Sequence, residues 1–174
     1  MPPVTYSDKK TEHDMRTRYI DPALYHDSDG PQWDFDLVDH EHPYNDGPII
    51  PDGRGGKRGD TDIPDYVLRA NKTLRLAIIE AKNFDKTFKD GIQQGMNYAE
   101  DLDCNFVYST NGTAINKEKN QGIYEYDYVT GKYSERGDFP SLEELLDHNK
   151  FSRTEELKRI VSCGTYPTLF LKDS

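Results

Sequence analysis

The sequence predicts an α/β fold, a mixed β-sheet flanked by helices. Three observations predict it. A largely apolar run from Leu74 to Ile79 ends in charge at Glu80-Ala81-Lys82 and reads as a buried strand. Between Thr87 and Leu102, Ile92, Met96, Ala99 and Leu102 recur at helical spacing. Phe106-Val107-Tyr108-Ser109-Thr110 then reads as a second buried strand, closed by Asn111-Gly112. Strand, helix and strand in that order imply a crossover between two parallel neighbours.

The remaining elements follow in chain order. Residues 1–10 read as a flexible tail. Thr11 is placed to cap a helix, with Asp14 three residues on as a capping-box partner. Met15, Arg18, Tyr19 and Leu24 continue one face, and Pro22 is expected to kink or end the helix. Trp33 to Val38 alternates apolar and acidic residues, which suggests a half-buried strand. Asp39 to Ile63 is rich in turn residues, and a loop of that length is usually functional or disordered. Tyr66-Val67-Leu68 reads as a short strand, separated from Leu74 by a turn at Ala70 to Thr73. Gly122 to Val129 alternates again and ends in a turn at Thr130-Gly131-Lys132. Ser141-Leu142-Glu143-Glu144 opens a short helix with a capping box, and a last helix is expected around Thr154 to Val161.

Composition narrows the class. At 174 residues the chain fits one domain, and 31% charged residues against 34% hydrophobic ones point to polar surfaces and loops. Without an apolar run of about 18 residues, no membrane span is expected. The N-terminus lacks the plan of a secretory signal. Cys104 and Cys163 form no disulfide framework or zinc spacing, so a reducing, cytoplasmic setting is expected. The net charge is −10, which taken alone opposes nucleic-acid binding. Its distribution is uneven. Asp21 to Asp46 carries no Lys or Arg, whereas Arg54 to Lys89 is locally basic. A local basic stripe predicts weak DNA affinity for this chain in isolation.

Pro64-Asp65 and Glu80-Ala81-Lys82 carry the chemistry. Asp65 enters the first central strand and Glu80 leaves the second, so a hairpin would set two carboxylates side by side. Glu80 and Lys82 differ by two and share a strand face, while Ala81 points away and leaves its carbonyl available as a third oxygen. Magnesium prefers oxygen and commonly takes one or two carboxylates with water and substrate phosphate. The expectation is phosphodiester hydrolysis, with Asp65 and Glu80 on metal and Lys82 on water and phosphate. In so charged a chain, Glu-x-Lys also arises by chance at a solvated strand end. Gln94 and Tyr98, four apart on the following helix, share a face, but so do Gln93 and Asn97, which leaves the choice of face open.

These residues resemble the PD-(D/E)xK nuclease superfamily and, more closely, the N-terminal nuclease domain of type I restriction enzyme R subunits. The likeness runs from about Glu12 to Leu146. It includes the opening stretch Glu12 to Leu24, Asp52 to Leu68, Ile79 to Glu100 and Phe106 to Gly112. It implies a restriction-endonuclease-like αβββαβ core and the activity of a type I site-specific deoxyribonuclease on double-stranded DNA. Asp65 and Glu80, with the Ala81 carbonyl, would hold Mg2+, with Mn2+ as a substitute. Lys82 would be the catalytic lysine, Gln94 and Tyr98 would support it, and Glu12 would face the metal. Methyltransferase and specificity subunits are the implied protein partners. Residues 11–150 would be the nuclease domain, and 151–174 an extension toward a motor domain absent from this chain. ATP would be used only in that motor, because the glycine-rich Gly53 to Gly59 does not match G-x-x-x-x-G-K-[ST]. The chain thus reads as a fragment or a stand-alone relative.

Two other readings stay open: a free-standing repair or recombination nuclease of the same superfamily, and a non-catalytic docking domain that retains the constellation. Elsewhere, His40-Glu41-His42 lacks further ligands for zinc. Asp34, Asp36, Asp39 and Glu41 lack calcium-loop spacing. Tyr124, Tyr126 and Tyr128 share one strand face and read as core or sheet surface rather than as a base-stacking platform.

Overall fold

The computed structural model describes residues 11–41 and 64–149, together with the backbone of 49–50 and 57–58. The expected tail at 1–10 and the helix around 154–161 lie outside the described residues.

The opening segment begins with α1 (Glu12–Met15), where Thr11 and Asp14 complete both halves of the capping box. A π-helical turn (Arg16–Ile20) follows and leads directly into α2 (Asp21–Tyr25). Pro22 does not end this run, as one of the two expectations had it; the helical ladder instead changes to a π turn immediately before it. The proline sits in the first turn of α2, where its missing N–H is not needed, and the wider π turn before it accommodates the ring. The expected strand at Trp33 to Val38 is also corrected. Asp34 accepts a hydrogen bond from the Asp36 N–H and winds Phe35–Leu37 into a 3₁₀ turn, so only β1 (Val38–His40) is extended.

In the turn-rich stretch, β2 (Ile49–Ile50) and β3 (Lys57–Arg58) pair antiparallel as a separate two-stranded sheet. β4 (Tyr66–Arg69) and β5 (Arg75–Ala81) form the central hairpin, with Asn71 Oδ1 accepting three hydrogen bonds within its turn. α3 (Ile92–Leu102) starts five residues later than Thr87, because a turn closed by Thr87 and Asp90 occupies the intervening positions. β6 (Phe106–Thr110) lies parallel to β5, as the crossover demands. β7 (Ile123–Asp127) pairs with β8 (Lys132–Arg136), a strand the sequence pattern did not reveal because its residues are mostly exposed. A helix over 142–149, α4, begins where Ser141 Oγ accepts from the Glu144 N–H; the Glu144 carboxylate turns to Arg136 instead of completing the box.

The result is a six-stranded mixed sheet of order β1-β4-β5-β6-β7-β8 with helices on both faces. On one face Ile79, Ala81, Phe106, Tyr108 and Ile123 pack against the opening helices and α4. On the other, Val67, Ile78 and Val107 pack against Tyr98, Ala99 and Leu102 of α3. The α3 face carries the polar site.

Candidate active site

Pairing registers bring the site together. β4 and β5 are antiparallel, with Tyr66 opposite Ile79, so Asp65 at the start of one strand meets Glu80 at the end of the other. Tyr66, Ile79 and Ala81 point into the core beneath the opening helices, so Asp65, Glu80 and Lys82 face α3. Asp65 Oδ2 accepts the Ala81 N–H at 2.8 Å, and Oδ1 accepts from Arg16 at 3.2 Å. Glu80 Oε2 lies 3.4 Å from Lys82 Nζ. Lys82 Nζ also donates to Gln94 Oε1 at 2.9 Å, and Gln94 Nε2 donates to the buried Tyr98 hydroxyl at 2.9 Å. The open choice of helix face is thereby decided: Gln94 and Tyr98 turn toward the strand end, while exposed Gln93 bonds Asn97.

α3 comes close enough to make these contacts because two glycines line its inner side. A Cβ on Gly91 would stand 2.5 Å from Ser109 Oγ, 2.7 Å from Lys82 Cε and 2.9 Å from Glu80 Cβ. A Cβ on Gly95 would stand 2.5 Å from a Val107 methyl and 3.2 Å from Glu80 Cγ. Ser109 Oγ accepts the Gly91 N–H and anchors the start of the helix.

The electrostatics follow from this packing. The Glu80 side chain is 2% exposed. Burial, with the like charge of Asp65 behind it, pushes its carboxyl up to about 8 despite the opposing pull of Lys82. Burial also raises the Asp65 carboxyl, against hydrogen bonding from Ala81 and the charges of Arg16 and Lys82. Glu12 is raised by burial and then by Asp65, which places it at the edge of the same field.

A hard cation suits this donor set. Glu80 Oε1 is buried without a hydrogen-bond partner, a costly arrangement for a carboxylate and one that a cation would relieve. Two carboxylates and a nearby backbone carbonyl are all oxygen donors, as magnesium prefers. Among the described residues, no group of three His, Cys, Asp or Glu side chains gathers as a metal cage. Glu12 feels the charges of Asp65, Lys82 and Arg16 from the edge of the site.

Arg16 carried no assignment in the sequence. Its guanidinium reaches both Asp65 and Glu41, at 3.2 and 2.6 Å, and lies over the Tyr66 ring. Its position three residues before Tyr19, within the opening stretch, is the only sequence trace of this. Ser109 was likewise seen only as a strand residue. The other candidates disperse. His40 pairs with the Tyr25 hydroxyl at 2.7 Å, and His42 lies outside the described residues. Asp34 caps a turn, Asp39 pairs with Arg69 and Glu41 with Arg16, so these acids do not converge. Among the described residues, no helix is long and apolar enough to cross a membrane.

A family model described as the type I restriction enzyme R protein N terminus matches residues 5–121. The endonuclease subunit of the type I restriction enzyme EcoAI from Escherichia coli is 35% identical over 103 residues, 59% of this chain and 12% of that subunit. The chain thus spans about an eighth of that relative's length. A solved fragment, assigned as the HsdR subunit of a type I restriction enzyme from Vibrio vulnificus YJ016, superposes with a TM-score of 0.69 at 28% identity. That match covers 85% of this chain and 27% of the other.

Proposed function

The chain belongs to the type I restriction enzyme R protein N-terminal family, and on that premise we propose that it is a magnesium-dependent endonuclease domain hydrolysing double-stranded DNA. One observation carries the reading: the buried, unpartnered Glu80 Oε1 beside Asp65, with Lys82 held over the same strand end. The relatives are restriction endonuclease subunits, which agrees with that chemistry.

Asp65, Glu80 and the Ala81 carbonyl would hold the ion. When bound, magnesium polarises the phosphate and acidifies water. The Ala81 N–H fixes one Asp65 oxygen, so the carboxylate is oriented before substrate arrives. Lys82 is held from two sides, by Glu80 and by Gln94, and Tyr98 holds Gln94 in turn. An ammonium so restrained has donor capacity left for an attacking water or a phosphoryl oxygen. Water attacks phosphorus in line with the departing oxygen, the P–O bond to the leaving strand breaks, and Lys82 offsets charge on the non-bridging oxygens. Methyltransferase and specificity subunits are the partners on this reading, and ATP use belongs to a motor outside these 174 residues.

The test is calorimetric titration of manganese into metal-free wild type and Asp65→Ala, with circular dichroism to show that both fold. Binding by wild type and not by the variant is expected. If neither binds, with or without DNA, the chain is a docking domain rather than a nuclease. Lys82→Ala should keep the metal and lose cleavage.

A further inference from the structure

On the α3 face, Glu80 pairs with Ser109, Ser109 with Tyr124 and Tyr126 with Tyr133. Direct partners share a face, so the row from Glu80 leads across β6 to a group of tyrosines. Two strand spacings separate Glu80 from Tyr124, roughly 10 Å. The Tyr124 and Tyr133 rings stack at 5.6 Å with 14° between their planes, and Tyr126 lies 4.6 Å from Tyr133. Tyr126 and Tyr128 lean on the core beneath α3, but Tyr133 sits on the edge strand, 51% exposed. Lys89 Nζ stands 4.7 Å from the Tyr124 ring centre. It belongs to the loop that leaves Lys82, which also carries exposed Phe84 and Lys86. Glu135, opposite Tyr124, turns its carboxylate to the Gly122 N–H.

A cover for the core requires neither an exposed Tyr133 ring nor a lysine over the Tyr124 ring behind it. Both are features of surfaces that track nucleic-acid strands, where flat rings take bases and cations take phosphates. A ring offered flat accepts only a base whose own face is free, and duplex stacking denies that. We propose that Tyr133, backed by Tyr124 with Lys89 behind it, forms a shelf that stacks an unpaired nucleotide of the strand lying across the active site. The proposal rests on the nuclease reading for its substrate and gives that substrate a locally opened strand.

The experiment is fluorescence anisotropy of the full chain with a short labelled oligothymidylate and with a duplex of mixed sequence, in calcium to prevent turnover. Tyr133→Ala should weaken single-strand binding about tenfold while changing duplex binding little. Tyr133→Trp should retain it, and its indole emission should be quenched by the oligonucleotide. Because Tyr133 is exposed on an edge strand, both variants should fold, and Lys89→Ala is a second probe away from the strands. Equal losses on both DNAs, unchanged binding in Tyr133→Ala, or no single-strand binding by wild type would each overturn the shelf. The nuclease reading fails separately, by loss of manganese binding and cleavage while the single-strand response to Tyr133→Ala persists.

Discussion

At Glu80, burial and the Asp65 carboxylate favour the protonated form, and Lys82 favours the charged one; the first two win. An unfolded glutamate titrates near 4.5, whereas this one is pushed up to about 8. Between those values the folded state holds a proton that the unfolded chain has released. Stability therefore falls as pH rises through that window, by up to about 1.4 kcal/mol per pH unit. The thermal midpoint of the metal-free protein should drop between about pH 5 and pH 8 and level off above. Glu80→Gln should flatten most of this slope and should be the more stable protein at the alkaline end. An equal slope in both proteins would assign the effect to Asp65 or Glu12. Arg16 acts on the same charges. Arg16→Ala strips Asp65 of one hydrogen bond and its nearest positive charge, which should destabilise the metal-free protein by about 1–3 kcal/mol. Manganese should recover more midpoint in that variant than in wild type, because the ion replaces the lost charge. Equal recovery would show that Arg16 serves Glu41 and the opening helix rather than the carboxylates.

Among the elements, α3 decides whether the site exists. Its position is set by what Gly91 and Gly95 leave out, so the helix can lie directly on β5 and β6. Alanine at position 95 gains helix propensity of about 1 kcal/mol, but its methyl meets Val107 at a distance that real Cβ contacts do not show. Packing outweighs propensity. Gly95→Ala should lower stability by about 1–3 kcal/mol in urea melts. It should also depress cleavage further than stability alone accounts for, because lifting α3 draws Gln94 from Lys82. A variant as active as wild type would show that Gln94 is not needed to place the lysine. The hairpin of β4 and β5, the crossover to β6 and the capped opening helix were legible from pattern, since each rests on local periodicity and capping. The Trp33 to Val38 segment was misread, since alternation also fits a 3₁₀ turn set by an aspartate side chain. β8 escaped notice for the opposite reason, having little apolar pattern to show.

For the molecule as a whole, a net charge of −10 works against the binding of any polyanion, the proposed DNA substrate included. Electrostatic attraction must come from the basic stretch Arg54 to Lys89 against the field of the acidic residues, so binding by this chain alone should be weak. It should also fall steeply between about 50 and 200 mM salt. Anisotropy with duplex DNA at both salt concentrations measures this. Affinity indifferent to salt would mean that phosphate contacts do not carry the binding.

The sequence by itself determined the α/β order, the parallel pair, and the presence of Asp65, Glu80 and Lys82 at the open end of a hairpin, because these follow from periods of two and three to four residues along the chain. Only the tertiary structure decided that Gln94 rather than Gln93 meets Lys82, that Arg16 reaches Asp65 from forty-nine residues away, and that Tyr124 continues the Glu80 row with the Tyr133 ring stacked on it. Those relations depend on how closely a helix lies on a sheet and on which strands become neighbours. Both are settled by packing between segments distant in the chain, and neither leaves a local period to read.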